Sequence, residues 1–349
     1  MIPGRPLNQV LTTLLEQSEQ KKDYLVPAAE LTMQDDLNLR FGDTNVTPND
    51  LFHSQVASYL DVPKRFYDRL KLNHPDLISL NVNRLLKEKN GDRRLVRALG
   101  DTGRGFLSDR YRMIDHLNVA ADILQQLEAA QSRLRVLSCE VTESRLYLQL
   151  VATNLEAEIR VGEVVQGGVI FSNSEVGLGS LSVQGFLNVY SCTNGAIIPE
   201  YSKRKNHLGS KSDFIDAEFY EVLTDEARQT SDKALFLQTR DYINYLTSNE
   251  GFSKMVETVR EKAGEAVHGD PEKVIEVVSD KYALKAEESK GILYAFLQGN
   301  DSTRWGLSQA VTQQANGMSD YDRGIDLQRI GGSLLALDTR SFAAMASVR

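Results

Sequence analysis

Residues 171–211 read FSNSEVGLGSLSVQGFLNVYSCTNGAIIPEYSKRKNHLGSK and contain the clearest strand pattern of this 349-residue chain. Apolar and polar side chains alternate from 181 to 190, which predicts a β-strand with one face in the core and one face exposed. The polar face carries Ser182, Gln184, Phe186, Asn188 and Tyr190. Asn194-Gly195 predicts a tight turn into a short strand at 196–198. The stretch therefore predicts an antiparallel sheet whose exposed polar face leads into a basic loop.

The flanking sequence extends this sheet and surrounds it with helices. Residues 134–141 and 145–152 alternate and predict a hairpin, and 158–171 supplies at least one further strand. Helical spacing dominates after residue 213 and also near the start of the chain. We therefore predict an α+β fold with a central antiparallel β-meander between an N-terminal helical segment and a C-terminal helical half. The predicted divisions are 1–47 (N-terminal helix and extended segment), 48–130 (helical region with a basic strand-turn), 131–212 (antiparallel sheet with the basic loop) and 213–349 (C-terminal helical region).

Composition narrows the class of protein. The formal net charge is −8, which argues against a protein that coats nucleic acid with its whole surface but leaves room for a local basic groove. Cys139 and Cys192 lie in apolar patterns and predict buried free thiols in a reducing compartment, with a disulfide between them as the alternative. We find no zinc spacing, nucleotide-binding loop, signal peptide or membrane-spanning run. We therefore expect a soluble intracellular protein with no cofactor, no metal site and no membrane partner.

A first basic cluster runs from Arg84 to Arg112 and carries nine cations against four acids, a net charge of +5. Arginine presents a planar fork that suits phosphate, and aromatic rings among arginines can stack on unpaired bases. The candidate DNA-binding residues here are Arg104, Arg110, Tyr111 and Arg112, with Phe106 as a second aromatic ring. The alternative is a solvated helix face with a few structural ion pairs.

A second basic cluster follows the predicted strands. Its candidate DNA-binding residues are Lys203, Arg204, Lys205, His207 and Lys211. The alternative is a flexible solvent-exposed loop. The next segment, 213–232, carries seven acids against one arginine, a net charge of −6. Either the two segments neutralise each other within one chain, or the basic edge of one copy meets the acidic edge of another and builds a ring or filament.

Two further patterns have an ordinary structural interpretation. Residues 48–73 have the spacing of a helix-turn-helix, with Asp61 where glycine is often found, but such helix pairs also occur as plain packing. Trp305 stands in TRWGLSQAVTQQA and is expected to anchor a helix in the core. We find no catalytic constellation, although a dispersed carboxylate site of a nuclease would escape this search.

Four segments resemble the "phage/plasmid-like protein" family, a domain of unknown function that is common on mobile elements. They are GFLSDRYRMIDH at 105–116, FSNSEVGLGSLSVQGFLNVYSCTNG at 171–195, KRKNHLG at 203–209 and TRWGLSQAVTQQA at 303–315. The resemblance covers most of 45–340 and implies a mobile-element setting in the bacterial cytoplasm. A remoter similarity, of layout only, is to the ring-forming single-strand annealing proteins, which implies a homo-oligomer that holds single-stranded DNA in a basic groove.

We therefore predict a non-enzymatic protein of a phage or plasmid that binds single-stranded DNA and anneals strands in recombination. Phe106, Tyr111, Phe186 and Tyr190 are the candidate stacking rings. The prediction requires that the segments 104–112 and 203–211 converge on one groove in the folded chain. The alternatives are an assembly or anti-defence protein that acts through protein contacts, and a metal-dependent nuclease.

Overall fold

The computed structural model describes residues 2–129, 133–179, 181–190, 194–205 and 225–348. It confirms the α+β class, with an N-terminal helix, a β-rich middle and a C-terminal helical half. The described strands form two sheets, one of six strands and one of five. The sequence predicted an extended segment before residue 47 and a strand-turn within 48–130, but it did not predict that they join in one six-stranded sheet.

The N-terminal half begins with a helix and alternates short strands with helices. Its elements are α1 (Leu7–Gln20), β1 (Lys21–Pro27), a 3-10 turn (Ala28–Glu30), β2 (Thr32–Met33), β3 (Leu39–Phe41), β4 (Thr44–Pro48), α2 (Asp50–Tyr59), α3 (Lys64–Asn73), α4 (Pro75–Glu88), β5 (Arg93–Leu99), β6 (Thr102–Ser108) and α5 (His116–Ala129).

The six-stranded sheet has the order β1-β5-β6-β4-β3-β2 and is antiparallel except where β4 pairs with β6. Strand alternation sends Val96 and Phe106 into a core with α2, α3 and α4, where Phe52 and Tyr67 are also buried. The opposite face of the sheet carries Leu95 and other side chains that point toward the second sheet. Three helices thus cover one face of this sheet. The other face is buried at β5 and β6, whereas Leu25 of β1 and Arg40 of β3 are exposed on it.

The turn between α2 and α3 is a Schellman motif. The Val62 N–H donates to the Ala57 carbonyl at 2.9 Å, and the Asp61 N–H donates to the Ser58 carbonyl at 3.3 Å. Asp61 takes the left-handed position with φ 55°, where glycine is the common residue. This turn ends α2 and lets α3 begin two residues later, so the helix pair predicted at 48–73 forms. Whether it reads DNA stays a prediction.

The five-stranded sheet is the predicted meander. Its strands are β7 (Leu134–Val141), β8 (Leu146–Arg160), β9 (Glu163–Asn173), β10 (Leu181–Val189) and β11 (Gly195–Lys205), in the spatial order β11-β10-β9-β8-β7 with every pair antiparallel. β11 is longer than the predicted strand at 196–198. Lys203, Arg204 and Lys205 therefore lie in a strand, and the prediction that they form a loop was wrong.

Seven helices complete the described part of the C-terminal half. They are α6 (Asp225–Leu246), α7 (Asn249–Ala263), α8 (Pro271–Tyr282), α9 (Ala286–Gly299), α10 (Arg304–Gln313), α11 (Tyr321–Ala336) and α12 (Thr339–Ala346). One face of the five-stranded sheet packs on α1, α5, α6 and α7, and the other packs on α8 to α12. As predicted, Trp305 is a buried anchor in this core.

Because helices cover both faces, the predicted exposed polar face of β10 does not exist. Ser182, Gln184, Phe186 and Asn188 are all buried. The polar side chains are tolerated where they find partners, as the Arg329 guanidinium donates to the Gln184 amide oxygen at 3.2 Å. Alternation showed that one face was apolar, but it could not show that helices would cover the polar face as well.

Candidate nucleic-acid interface

The two sheets meet where β9 ends. The connection that follows β9 starts with Ser174 and Glu175, and both side chains are buried. This connection contacts the face of the six-stranded sheet that α2 to α4 leave uncovered. The predicted DNA-binding residues of the first basic cluster lie around this junction, so its geometry decides which of them can reach a ligand.

Arg104 is buried at the junction. Its Nη2 donates to Glu175 Oε2 at 2.9 Å. A guanidinium that is buried and paired with a carboxylate cannot also grip a phosphate of a strand on the surface. The prediction that Arg104 contacts DNA is therefore wrong for this conformation, and the residue has a structural role.

Glu175 is the centre of a wider network of charges. Its Oε1 accepts from the Lys21 ammonium at 2.8 Å and from the His116 backbone N–H at 2.6 Å. Arg97 is fully buried beside it and donates to the Asp23 carboxylate at 2.7 and 2.9 Å. The network contains three cations and three carboxylates, so its formal charge is zero. Its members are Lys21, Asp23, Arg97, Arg104, Asp115 and Glu175.

The network sets the protonation states at the junction. Burial alone would raise the pKa of Glu175, but the His116 ring, the Lys21 ammonium and the hydrogen bonds to the carboxylate hold that pKa well below its usual range. Burial lowers the pKa of His116 to about 4, so the ring is neutral at neutral pH. Burial also opposes the charge of Arg97, but Asp23 and Asp115 together raise the pKa of its guanidinium above the ordinary value. The junction is thus a neutral set of fixed ion pairs.

Three of the four candidate stacking rings are inaccessible. Phe106 and Phe186 lie in separate hydrophobic cores. Tyr111 is buried, its hydroxyl donates to the Ser174 carbonyl at 2.8 Å, and burial raises the pKa of that hydroxyl above the ordinary value. Tyr190 is 50% exposed and donates to Glu156 at 2.8 Å, but it follows the end of β10 that lies away from the junction. A stacking role for the three buried rings was therefore a wrong prediction.

The remaining candidates are at or near the surface, or lie outside the described residues. Arg110 and Lys203 are exposed, and Arg112 is half-exposed. Arg204 and Lys205 are described only as backbone of β11, paired with Ser182 and Leu181. His207 and Lys211 lie outside the described residues, as does Cys192. Cys139 is a buried free thiol, as predicted.

The backbone brings the two basic segments to the same end of the five-stranded sheet. Asn173, the last residue of β9, donates its amide to the Ile114 carbonyl at 2.9 Å, just beyond Arg112. Ser182 of β10 pairs with Ser172 of β9 on one side and with Arg204 of β11 on the other. The ends of β9 and β11 are therefore separated by two strand spacings, about 10 Å.

Sequence reasoning missed Glu175, the residue that organises the junction. Its signal was present, because Ser172, Asn173, Ser174 and Glu175 are four consecutive polar residues at the end of an apolar strand. A buried polar run needs partners, but those partners are distant in sequence: Lys21, Arg97, Arg104 and His116. Only the packing of the two sheets brings them together.

Metal ligands and membrane-spanning helices are two further features that would bear on function. Within the described ranges, no group of histidine, cysteine, aspartate and glutamate side chains is placed to hold a metal ion. No described helix combines the length and hydropathy that a bilayer crossing requires. Comparisons with protein-family models, curated proteins and solved structures find no match to this chain. The resemblance to the phage/plasmid-like family therefore stays a prediction.

Proposed function

We propose that this protein binds single-stranded DNA at the end of the five-stranded sheet where the two basic segments meet. The observation that supports the proposal is that the end of β11, which carries Lys203, lies two strand spacings or about 10 Å from the end of β9. The end of β9 in turn contacts the chain just after Arg112, through the hydrogen bond from Asn173 to the Ile114 carbonyl. Arg110, Arg112 and Lys203 would contact phosphates, together with the rest of the run 203–205. Arg104 and Tyr111 would support this surface from beneath.

Such a site would bind through phosphates with little sequence preference. Single strands held this way lose affinity with salt, because each neutralised phosphate releases counterions. Bases would face away from the protein and stay available for pairing, since the three buried rings cannot stack on them. The proposal thus extends to annealing of complementary strands of a mobile element, which needs no nucleotide cofactor.

The test compares two triple variants that change the net charge equally. Lys203→Ala/Arg204→Ala/Lys205→Ala removes the proposed contacts, whereas Lys273→Ala/Lys281→Ala/Lys290→Ala removes exposed cations of α8 and α9. Binding of labelled 30-nucleotide single and double strands is measured at two salt concentrations. If all three cations contact phosphates, the slope of log affinity against log salt should be shallower by about 2 in the first variant than in the wild type. The second variant should match the wild type.

Three outcomes would contradict the proposal. They are the absence of single-strand affinity at low salt, equal binding by both triple variants, and tighter binding of the duplex than of the single strand. A parallel series with Mg²⁺ and a gel readout of strand length tests the nuclease alternative, which predicts shortened strands. A protein that acts only through protein contacts predicts no salt-dependent DNA affinity.

A further inference from the structure

The outer surface of α3 and α4 carries an unusual concentration of exposed apolar side chains. Leu72 is 81% exposed and Leu80 is 67% exposed, and Phe66 and Leu77 are also exposed. The inward side of the same helices supplies Tyr67, Leu70, Ile78, Val82 and Leu86 to the core. We call the four exposed residues, together with the cations beside them, the α3–α4 outer face.

The α3–α4 outer face is also basic. Residues 64–88 carry six cations and three acids, a net charge of +3 in a chain of net charge −8. Arg65, Arg69 and Lys87 make no ion pair among the described residues, whereas Arg84 lies 3.7 Å from Glu88. Large apolar side chains inside a basic rim fit a partner that is both acidic and apolar, which a phosphate backbone is not.

The chain itself contains a segment of that chemistry. Residues 213–224 read DFIDAEFYEVLT, with four acids, no cation and six large apolar or aromatic side chains. Ile215, Phe219 and Val222 recur at the spacing of one helix face, and the acids flank that stripe. The acids of this segment complement the basic rim of the α3–α4 outer face, and its apolar stripe complements the exposed leucines.

The helix to which this segment is joined favours docking between two copies. Residues 213–224 run directly into α6, whose Leu235, Ile243 and Leu246 pack on the five-stranded sheet. The α3–α4 outer face is the exposed side of the helix layer that packs on the six-stranded sheet. The segment is therefore attached beside one sheet while its complementary face lies beside the other, an arrangement that suits a contact between two copies.

We propose that residues 213–224 of one copy dock on the α3–α4 outer face of a second copy. The contact joins two different surfaces, so it is head-to-tail and builds a ring or an open chain of subunits. It uses none of the cations assigned above to single-stranded DNA. The DNA site and this contact can therefore fail independently.

The first experiment measures the contact directly with a labelled peptide of residues 211–226, titrated against the full chain. Leu72→Ser/Leu80→Ser and Arg65→Glu/Arg69→Glu should each raise its dissociation constant at least tenfold. Leu297→Ser, at a leucine of α9 that is 58% exposed, is the matched control and should leave binding unchanged. No binding, or equal binding to all variants, overturns the proposal.

The second experiment distinguishes two copies from one. Sedimentation equilibrium should show salt-sensitive association of the wild type, and no association for Arg65→Glu/Arg69→Glu alone or for Asp216→Lys/Glu218→Lys alone. Mixing these two variants should restore a heterodimer, because each keeps one intact surface. A mixture that stays monomeric overturns the proposal. A second contrary outcome is that the peptide does not bind, while the wild type binds duplex DNA and Arg65→Glu/Arg69→Glu does not.

Discussion

At the scale of single residues, the charges that suggested a DNA groove divide into two classes. Arg104 and Arg97 are buried, whereas Arg110 and Lys203 are exposed. Both classes have the same sequence appearance, because an arginine beside an apolar strand residue can point to either side. A basic cluster in sequence therefore overestimates the cations that are available to a ligand.

The buried charges predict that replacing one carboxylate by an amide will strongly lower the stability of the protein. Glu175→Gln keeps the size of the side chain but leaves Lys21 and Arg104 without their shared counter-charge. Because an uncompensated buried charge is costly, we expect the free energy of unfolding to fall by about 3–5 kcal/mol. Urea denaturation of the purified variant at pH 7 measures this fall.

Glu143→Gln is the matched control, since Glu143 is exposed. It should change the free energy of unfolding by less than about 0.5 kcal/mol. Equal effects of the two substitutions, or a Glu175→Gln effect within that small range, would show that the network is not structurally important. Either result would reopen the assignment of Arg104 to the ligand surface.

At the scale of elements, the sequence predicted the strands that have long alternating patterns. β7, β8 and β10 begin within a residue or two of the predicted bounds, although β8 continues to Arg160 instead of ending at 152. β9 overlaps the predicted region 158–171 but ends at Asn173. β2 is two residues long and too short to show a period, whereas β3, three residues long, lies in the segment that was predicted to be extended. The predicted strand at 196–198 is shorter than β11 because basic residues interrupt the apolar run. The pairing of β11 with β10 nevertheless continues to Lys205. Strand pairing, which is not a local property, decides these cases.

Helix ends offer a prediction that sequence alone would not give. The residue that caps the end of α8 is Ala283, an exposed alanine with φ 49°, and the residue that caps the end of α9 is Asn300, with φ 48°. An alanine side chain is strained in this left-handed region, whereas asparagine tolerates it and glycine has no strain. We expect Ala283→Gly to stabilise the protein by about 0.5–1 kcal/mol.

The comparison is Asn300→Gly, measured in the same urea titration. It should change the free energy of unfolding by only a few tenths of a kcal/mol, because Asn already suits the position. If Ala283→Gly destabilises the protein by about 0.5–1 kcal/mol, the change has the value expected for an unstrained alanine, because only the greater freedom of glycine in the unfolded chain is then felt. That outcome would contradict the left-handed cap at this position.

At the scale of the whole molecule, the two sheets are coupled through a few buried polar contacts. The junction joins β1, β5 and β6 to the connection after β9, so β1 near the N-terminus is linked to the central meander. The predicted division at 130 separates α5 from the sheet on which it packs. Sequence composition could not show this, because contacts between distant segments leave no local pattern.

The buried titratable groups together predict acid sensitivity. Burial lowers the pKa of His116 and of His53 to about 4, from an ordinary value of 6.5. Between pH 6.5 and 4 the unfolded chain therefore binds protons that the folded chain excludes, so stability falls as pH falls. Each of these histidines therefore lowers the free energy of unfolding by about 2 kcal/mol between pH 7 and pH 5.

Glu175 acts in the same direction at lower pH. Its folded pKa lies below the unfolded value of 4.5, so its contribution is complete above that value and is lost as the solution becomes more acidic. His116→Asn removes one of the two histidine contributions while a polar side chain remains near Asn173. Urea unfolding at pH 7 and pH 5 should therefore show a loss of stability in the variant about half that of the wild type. An equal loss in both proteins would mean that the His116 ring accepts a proton in the folded state, and the neutral, fixed junction described above would then be wrong.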